Sequence, residues 1–209
     1  ETEAVLTILT TPNNPTGRIL TIDEIERIAS ASPGIVVVDE AYVEFNSQPS
    51  ACTLLDTHPN IIVLRTMSKG FGLAGLRLGY LIAHPDLVTE LMKSRLPFMV
   101  DRFAEQTALS VLERPELIEE RVRQMQVSIT EVSEALRSID GVEVVPSEAN
   151  FVIFDAPMDA DRLQDALADQ GVLVRNMGGY PELEGYLRVS AGTRAENKAF
   201  LTALEQTLS

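Results

Sequence analysis

Tryptophan is absent from this chain, cysteine occurs once, histidine twice, and 17 Lys and Arg stand against 31 Asp and Glu. Each scarcity closes off a class of function. The lone Cys52 has no internal disulfide partner, and His58 and His84 lack neighbours at zinc-ligand spacing, so neither a disulfide framework nor a metal centre is expected. A formal net charge of -14 and a pI near 4.5 argue against nucleic acid or an anionic membrane surface as partner, since both need clustered Lys and Arg. The longest apolar runs, such as residues 34–38 and 60–64, are far too short to span a bilayer, and no basic region precedes an apolar N-terminal stretch. The expected setting is a reducing cytoplasm.

What remains is enough for a core: 209 residues, 45% hydrophobic, fit one large domain or two modest ones. The chain starts at Glu1 rather than methionine and enters an apolar run, residues 4–9, that reads as a buried strand, so a preceding segment is expected. Thr21-Ile22-Asp23-Glu24 is a capping box opening an amphipathic helix to Ala31, and a strand over residues 34–39 follows. That is a βαβ unit. A strand over 61–65 leads into a loop holding Lys69, and 76–83 is apolar enough for a fourth strand. The pattern predicts an α/β fold with a mostly parallel sheet in a large domain and loops gathered at the strand ends.

From 85 to 139 the periodicity turns helical, broken at Pro97 and Pro115, and the charged stretch 115–137 is long enough to bridge two domains. Short strands over 142–145, 151–154, 172–175 and 186–190 then alternate with helices near 160–169 and 194–207, predicting a small C-terminal α+β domain. The expected division is residues 1–115 in the large domain, 116–139 as a linking helix and 140–209 in the small domain.

Lys69 lies in the run Arg65-Thr66-Met67-Ser68-Lys69-Gly70-Phe71-Gly72, with Arg77 beyond it and the block Asp39-Glu40-Ala41-Tyr42 upstream. A lysine amine can form a Schiff base with an aldehyde cofactor, and small hydroxylated neighbours with an arginine suit a cofactor phosphate. Two rival motifs fail. Gly70-x-Gly72-x-x-Gly75 has the form of a dinucleotide fingerprint, but that motif must open a helix, and 76–83 reads as a strand. Residues 34–40 have the form of a magnesium-binding strand of an ATPase, yet no G-x-x-x-x-G-K-[ST] occurs in the chain.

Taken together, Thr11-Pro12-Asn13-Asn14-Pro15-Thr16-Gly17, Val38-Asp39-Glu40-Ala41-Tyr42, Ser68-Lys69 with Arg77, and Leu187-Arg188 resemble the fold-type I pyridoxal-phosphate-dependent aminotransferases. The Pro-Ser-x-Ala-Asn-Phe block at 146–151, the interval from Val174-Arg175 to Arg188, and Gly192-Thr193-x-x-Glu196-Asn197 are most similar to the histidinol-phosphate aminotransferases. The resemblance runs along nearly the whole chain. It implies that residues 1–115 are part of a cofactor-binding domain, that the cofactor is pyridoxal 5'-phosphate, and that the assembly is a homodimer. It also implies a ping-pong exchange of an amino group between histidinol phosphate and 2-oxoglutarate or glutamate. Related alternatives are an aromatic amino-acid aminotransferase or a phosphothreonine-type enzyme of the same fold. From another class comes an aminotransferase-like effector domain of a transcription regulator.

Residue by residue, the resemblance implies that Lys69 holds the cofactor and, once substrate displaces it, carries a proton between substrate and cofactor carbons. Asp39 would pair with the pyridinium nitrogen, and Tyr42 and Asn14 would hydrogen-bond the ring's phenolic oxygen. Thr66, Ser68 and Arg77 would hold the phosphate, where an arginine fork makes two parallel charge-assisted bonds. Arg188 would take the substrate carboxylate and, with Arg175, the phosphate of histidinol phosphate. Plainer readings stand beside these: the Pro-Asn-Asn-Pro-Thr-Gly run is turn chemistry by composition, Thr193 to Glu196 is a capping box, and Asn150 orients a turn. Arg175 and Arg188 can also be read as surface ion-pair residues in so acidic a chain, and for Arg175 alone that reading is as good as the functional one. Two departures from the family are visible. Its other phosphate donors, its ring-stacking aromatic and a partner-subunit tyrosine are expected upstream of the Asn-Pro-Thr-Gly motif, and its usual Pro-Tyr-Asn-Val stretch is Pro97-Phe98-Met99-Val100 here.

Overall fold

A computed structural model describes residues 4–208. Their contacts divide into two compact units, one running to Pro12 and then over residues 19–121, the other holding residues 13–18 and 122–208. The division falls inside one helix, and it assigns the Asn-Asn-Pro-Thr-Gly turn to the second unit.

The first unit is built on a four-stranded sheet in the order β1 (Leu6–Thr10), β2 (Ile35–Asp39), β3 (Ile61–Thr66), β4 (Gly79–Ala83). β1, β2 and β3 are parallel, so Thr10, Asp39 and Thr66 end the three strands along one edge. Helix α1 (Ile22–Ala31) joins β1 to β2. Its Thr21 oxygen accepts from the Glu24 amide while the Glu24 carboxylate accepts from Thr21, the predicted capping box. Ile25 and Ala29 then face Val36, Val38, Ile61 and Val63 in a core that also takes in Ala51 and Leu54. Burial strictly alternates along β2, with Val36 and Val38 inside, as a half-covered strand requires.

Two expectations change here. Residues 4–9 were predicted as a buried strand, but β1 is an exposed edge, with Ile8 64% accessible and Leu6 also open. The fourth strand starts at Gly79 rather than 76 and runs antiparallel to β3. Residues 74–76 instead form a short 3₁₀ turn ended by Arg77 in the left-handed region, φ 52°. That turn reverses the chain, which a parallel strand could not follow without a long crossover. Helices α2 (Pro85–Lys93) and α3 (Arg102–Leu112) complete the unit, and α4 (Pro115–Arg137) begins in it. The breaks fall at the predicted prolines: 97 lies between α2 and α3, and 115 is the first residue of α4.

The second unit has an antiparallel sheet in the order β5 (Glu143–Val144), β6 (Phe151–Asp155), β8 (Leu187–Ser190), β7 (Arg175–Asn176). Helices α5 (Ala160–Asp169) and α6 (Arg194–Leu208) pack with the second part of α4 over one face. Phe154, Leu136, Leu163, Leu167 and Leu204 fill its core, and Phe154 meets Phe200 edge-on, ring centres 5.9 Å apart. Two of the predicted strands shrink: 142–145 to a two-residue β5, and 172–175 to β7 at 175–176.

Candidate active site

At the edge where the parallel strands end, the first unit gathers Asp39, Tyr42, Thr66, Ser68 and Lys69. Ligands bind at such carboxyl ends because the loops there carry free polar groups on a rigid floor. Asp39 closes β2, and its Oδ1 accepts from the Ala41 amide at 3.0 Å. This Asx turn bends the chain so that Tyr42, buried, opens a 3₁₀ turn at Val43–Phe45. The half-buried Lys69 puts its Nζ over the Tyr42 ring, 5.2 Å from the centroid. Lysine and tyrosine therefore meet although they sit on different loops.

Thr66 ends β3, and its hydroxyl accepts from the Ser68 amide at 3.1 Å, shaping the turn that delivers Lys69. Residues 67–78 form a closed loop, since Thr66 pairs with Gly79 and the Met67 amide donates to the Leu78 carbonyl. Arg77 lies at the far end of that loop and is exposed, its Nη1 donating to the Ala74 carbonyl at 3.0 Å. A non-glycine residue in the left-handed region costs about 1–3 kcal/mol, and such strain gathers at functional positions.

The second unit brings together three of the predicted residues. Arg175 and Arg188 are Cα partners on β7 and β8, so both side chains stand on one face of the sheet. Arg188 lies over the Phe151 ring, its Cζ 5.0 Å from the centroid, and its Nη1 donates to Asn14 Oδ1. Asn14 thus folds against Arg188, a contact the sequence reading did not anticipate. Its turn is held to β6's approach by Gly17, φ 71°, whose carbonyl accepts from the Glu148 amide. A Cβ on Gly17 would sit 2.0 Å from Ser147 Oγ, so no other residue fits.

Sequence reasoning missed a set of buried charges. Glu40, its side chain 2% exposed, accepts from Arg65 Nη2 at 2.9 Å and Nε at 3.1 Å, from the Ser50 hydroxyl, and from the Ala51 amide at 2.6 Å. Burial alone would lower the Arg65 pKa; the Glu40 charge and hydrogen bond reverse this and hold it above the ordinary value. The signal was present in the alternation: Val36, Val38, Glu40 and Ile61, Val63, Arg65 continue the inward faces of adjacent strands. Glu44 is a second case. Its Oε2 is buried without a hydrogen-bond partner beside Gly70, and burial pushes its carboxyl above the usual carboxylate range. Among the described residues no cluster suits a metal ion, and no helix is long and apolar enough to cross a membrane.

The chain is similar to known proteins along nearly its whole length. Residues 1–204 match the family Aminotransferase class I and II. The chain is 44% identical over 199 residues to a histidinol-phosphate aminotransferase of Chlorobaculum tepidum, covering 95% of this chain and 57% of that protein. It therefore spans just over half the length of such relatives. Among solved structures, histidinol-phosphate aminotransferase from Sinorhizobium meliloti in complex with pyridoxal-5'-phosphate is similar at TM-score 0.89 and 30% identity, over 98% of this chain and 57% of that one. The L-threonine-O-3-phosphate decarboxylase of Porphyromonas gingivalis is similar at TM-score 0.86 and 29% identity, over 97% of this chain and 64% of that one. The fold is that of the fold-type I pyridoxal-phosphate-dependent transferases, and the chain belongs to the class I and II aminotransferase family.

Proposed function

We propose that the protein to which this chain belongs is a pyridoxal-phosphate-dependent aminotransferase that moves an amino group between histidinol phosphate and 2-oxoglutarate. The observation that carries the reading is the meeting of Lys69, Tyr42, Asp39, Thr66 and Ser68 at one end of a parallel sheet. The donor set fits the cofactor: an amine for its aldehyde, a carboxylate for its ring nitrogen, and hydroxyl and amide groups with an arginine for its phosphate. When bound, the cofactor supplies an aldehyde and an electron-withdrawing ring. Lys69 would hold the cofactor through its side-chain amine and would move a proton at the reacting carbon of the substrate. Asp39 keeps a proton on the ring nitrogen. Tyr42 orients Lys69 through its ring face and offers its hydroxyl to the ring oxygen, with Asn14 as a second donor. Thr66, Ser68 and Arg77 bind the phosphate.

Arg188 and Arg175 serve as anion receptors. They are cross-strand partners of like charge, and a bound carboxylate or phosphate would offset the repulsion that such a pair carries. Residues 1–115 are read as part of the cofactor-binding domain, 116–139 as the linking helix and 140–209 as the small domain. A homodimer in the cytoplasm is the expected form. The likeness to a threonine-phosphate decarboxylase favours one second reading, a phosphothreonine-type enzyme using the same anion receptors. Product analysis separates the two, since one releases carbon dioxide and the other transfers an amine.

The test is borohydride reduction of the full-length protein with cofactor, followed by peptide mapping. The phosphopyridoxyl group is expected on Lys69. An adduct on Lys93 or Lys198 instead, or no adduct, refutes the site and the reaction together.

A further inference from the structure

Asp39, the last residue of β2, and Glu40, just beyond it, are adjacent in sequence and point to opposite faces of the sheet. Asp39 faces the side shared with Thr66, while Glu40 continues the buried face of Val36 and Val38. Across the register the same holds for β3, where Arg65 lies on the buried side beside Glu40 and Thr66 on the other. The last rung between these strands is the Glu40 amide donating to the Leu64 carbonyl at 2.9 Å. Beyond it the backbones part, one into the turn holding Tyr42, the other into the turn holding Ser68 and Lys69.

The Glu40 side chain spans that point of divergence. One carboxylate oxygen takes both Arg65 bonds and the other takes the Ala51 amide, while the Ser50 hydroxyl bonds the carboxylate and accepts from Arg65 Nη2 at 2.8 Å. A buried ion pair is a poor source of stability, because desolvation cancels most of its attraction and an apolar pair of equal volume does as well. What charge and directional bonds add is a fixed geometry. A second tie reinforces it: the Glu44 side chain lies against Gly70, leaving no room for a Cβ there, with Glu44 Cβ and Cγ at 2.9 Å from where one would stand.

We propose that Glu40 is a positioning residue of the reaction. Through Arg65 and Ser50 it locks the strand end bearing Asp39 to the strand end bearing Thr66, Ser68 and Lys69, and so sets the spacing of the amine and the carboxylate without touching cofactor or substrate. This rests on the aminotransferase reading above. Misplacement of reacting groups by about 1 Å costs roughly 100-fold in rate, so loosening this tie is expected to act on turnover more than on binding.

The experiment uses the full-length protein, wild type beside Glu40→Gln and Ser50→Ala, with Asn60→Ala as the comparison variant. Asn60 bonds the Ala29 and Gly34 carbonyls at the opposite end of the same sheet, so its loss lowers stability without touching the tie. For Glu40→Gln the expected result is a fall in kcat of about 10- to 100-fold, both KM values within about threefold, and an altered visible circular-dichroism band of the bound cofactor. Ser50→Ala should move the same readouts less and in the same direction, and it serves if Glu40→Gln does not fold. Hydrogen exchange on cofactor-free protein should quicken at residues 41–44 and 68–70 in the Glu40 and Ser50 variants and not in Asn60→Ala. Wild-type kcat and dichroism in a folded Glu40→Gln or Ser50→Ala, or unchanged exchange in those segments, overturns the proposal and leaves the aminotransferase reading standing. A wild-type protein with no cofactor band sinks that reading instead, while the exchange result still decides whether Glu40 makes the tie.

Discussion

The two sheets of this chain differ in how completely they are covered. In the second unit Phe154, Leu136, Leu163 and Leu204 are sealed between β6, β8 and their helices. In the first, the edge strand β1 shows Leu6 and Ile8 to solvent, and α3 with the loop before it exposes Phe98, Phe103, Leu109 and Leu112. Isolated exposed apolar residues mean little, but an unpaired strand edge and a helix with several exposed apolar side chains are two separate places where this unit leaves apolar surface open. The chemistry divides the same way. The amine and carboxylate stand on the open unit, and the paired arginines on the closed one.

The contrast is broken most directly by truncation. Phe154→Ala, in the closed core, should destabilise by about 3–5 kcal/mol, whereas Ile8→Ala on the open edge should cost under about 0.5 kcal/mol. Chemical denaturation of both variants checks this, and an equal loss at Ile8 would show that β1 is covered in the working protein.

Next in size is Asp39→Asn in the full-length protein, expected to keep cofactor but to lower single-turnover deamination about 100- to 1,000-fold, because a neutral amide cannot hold the ring proton. A rate within a few-fold of wild type would remove Asp39 from the chemistry.

In the second unit, Arg188→Ala should weaken glutamate and histidinol phosphate together by roughly 1.5–3 kcal/mol in kcat/KM. Arg175→Ala should act mainly on the phosphate substrate. Separate measurement of the two half-reactions distinguishes them, and unaffected glutamate kinetics in Arg188→Ala would end its assignment.

The smallest effect concerns pH. The raised Glu44 carboxyl binds its proton more tightly folded than unfolded, so its contribution to stability is complete below the unfolded pKa and fades as pH rises through the folded value. Glu44→Gln should therefore gain stability over wild type as pH climbs above about 4.5, with little difference below. Melting curves across that range are the measure, and a gain that grows on acidification would contradict the assignment.

Much of the fold was legible because its signals are local. The capping boxes at Thr21 and Thr193 set the starts of α1 and α6 by bonds that span three residues. The apolar runs at β2 and β3 left little choice of conformation. β1 misled because composition shows that a strand is apolar and not what covers it. β4 misled because the reversal depends on Arg77 taking a backbone conformation that its residue type does not announce. At the site, Lys69 and Asp39 were named from their motifs, yet the Arg188 bond to Asn14 joins residues 174 positions apart. The Glu40 to Arg65 pair needs the register of β2 on β3. The alternation marks each of Glu40 and Arg65 as inward-facing, but no short stretch of sequence says that they meet.

Strand parity gives Asp39 and Glu40 their separate fates, and it makes the chain intolerant of length changes there. Losing a single residue inside β2 would turn the longer acid toward the loops and the shorter one toward Arg65, which it would reach poorly. Substitutions at this sheet end can be graded, but an insertion or deletion of one residue is all or nothing. Natural length variation should accordingly fall in the turns around residues 46–49 and 70–76, and stop short of the last two residues of either strand.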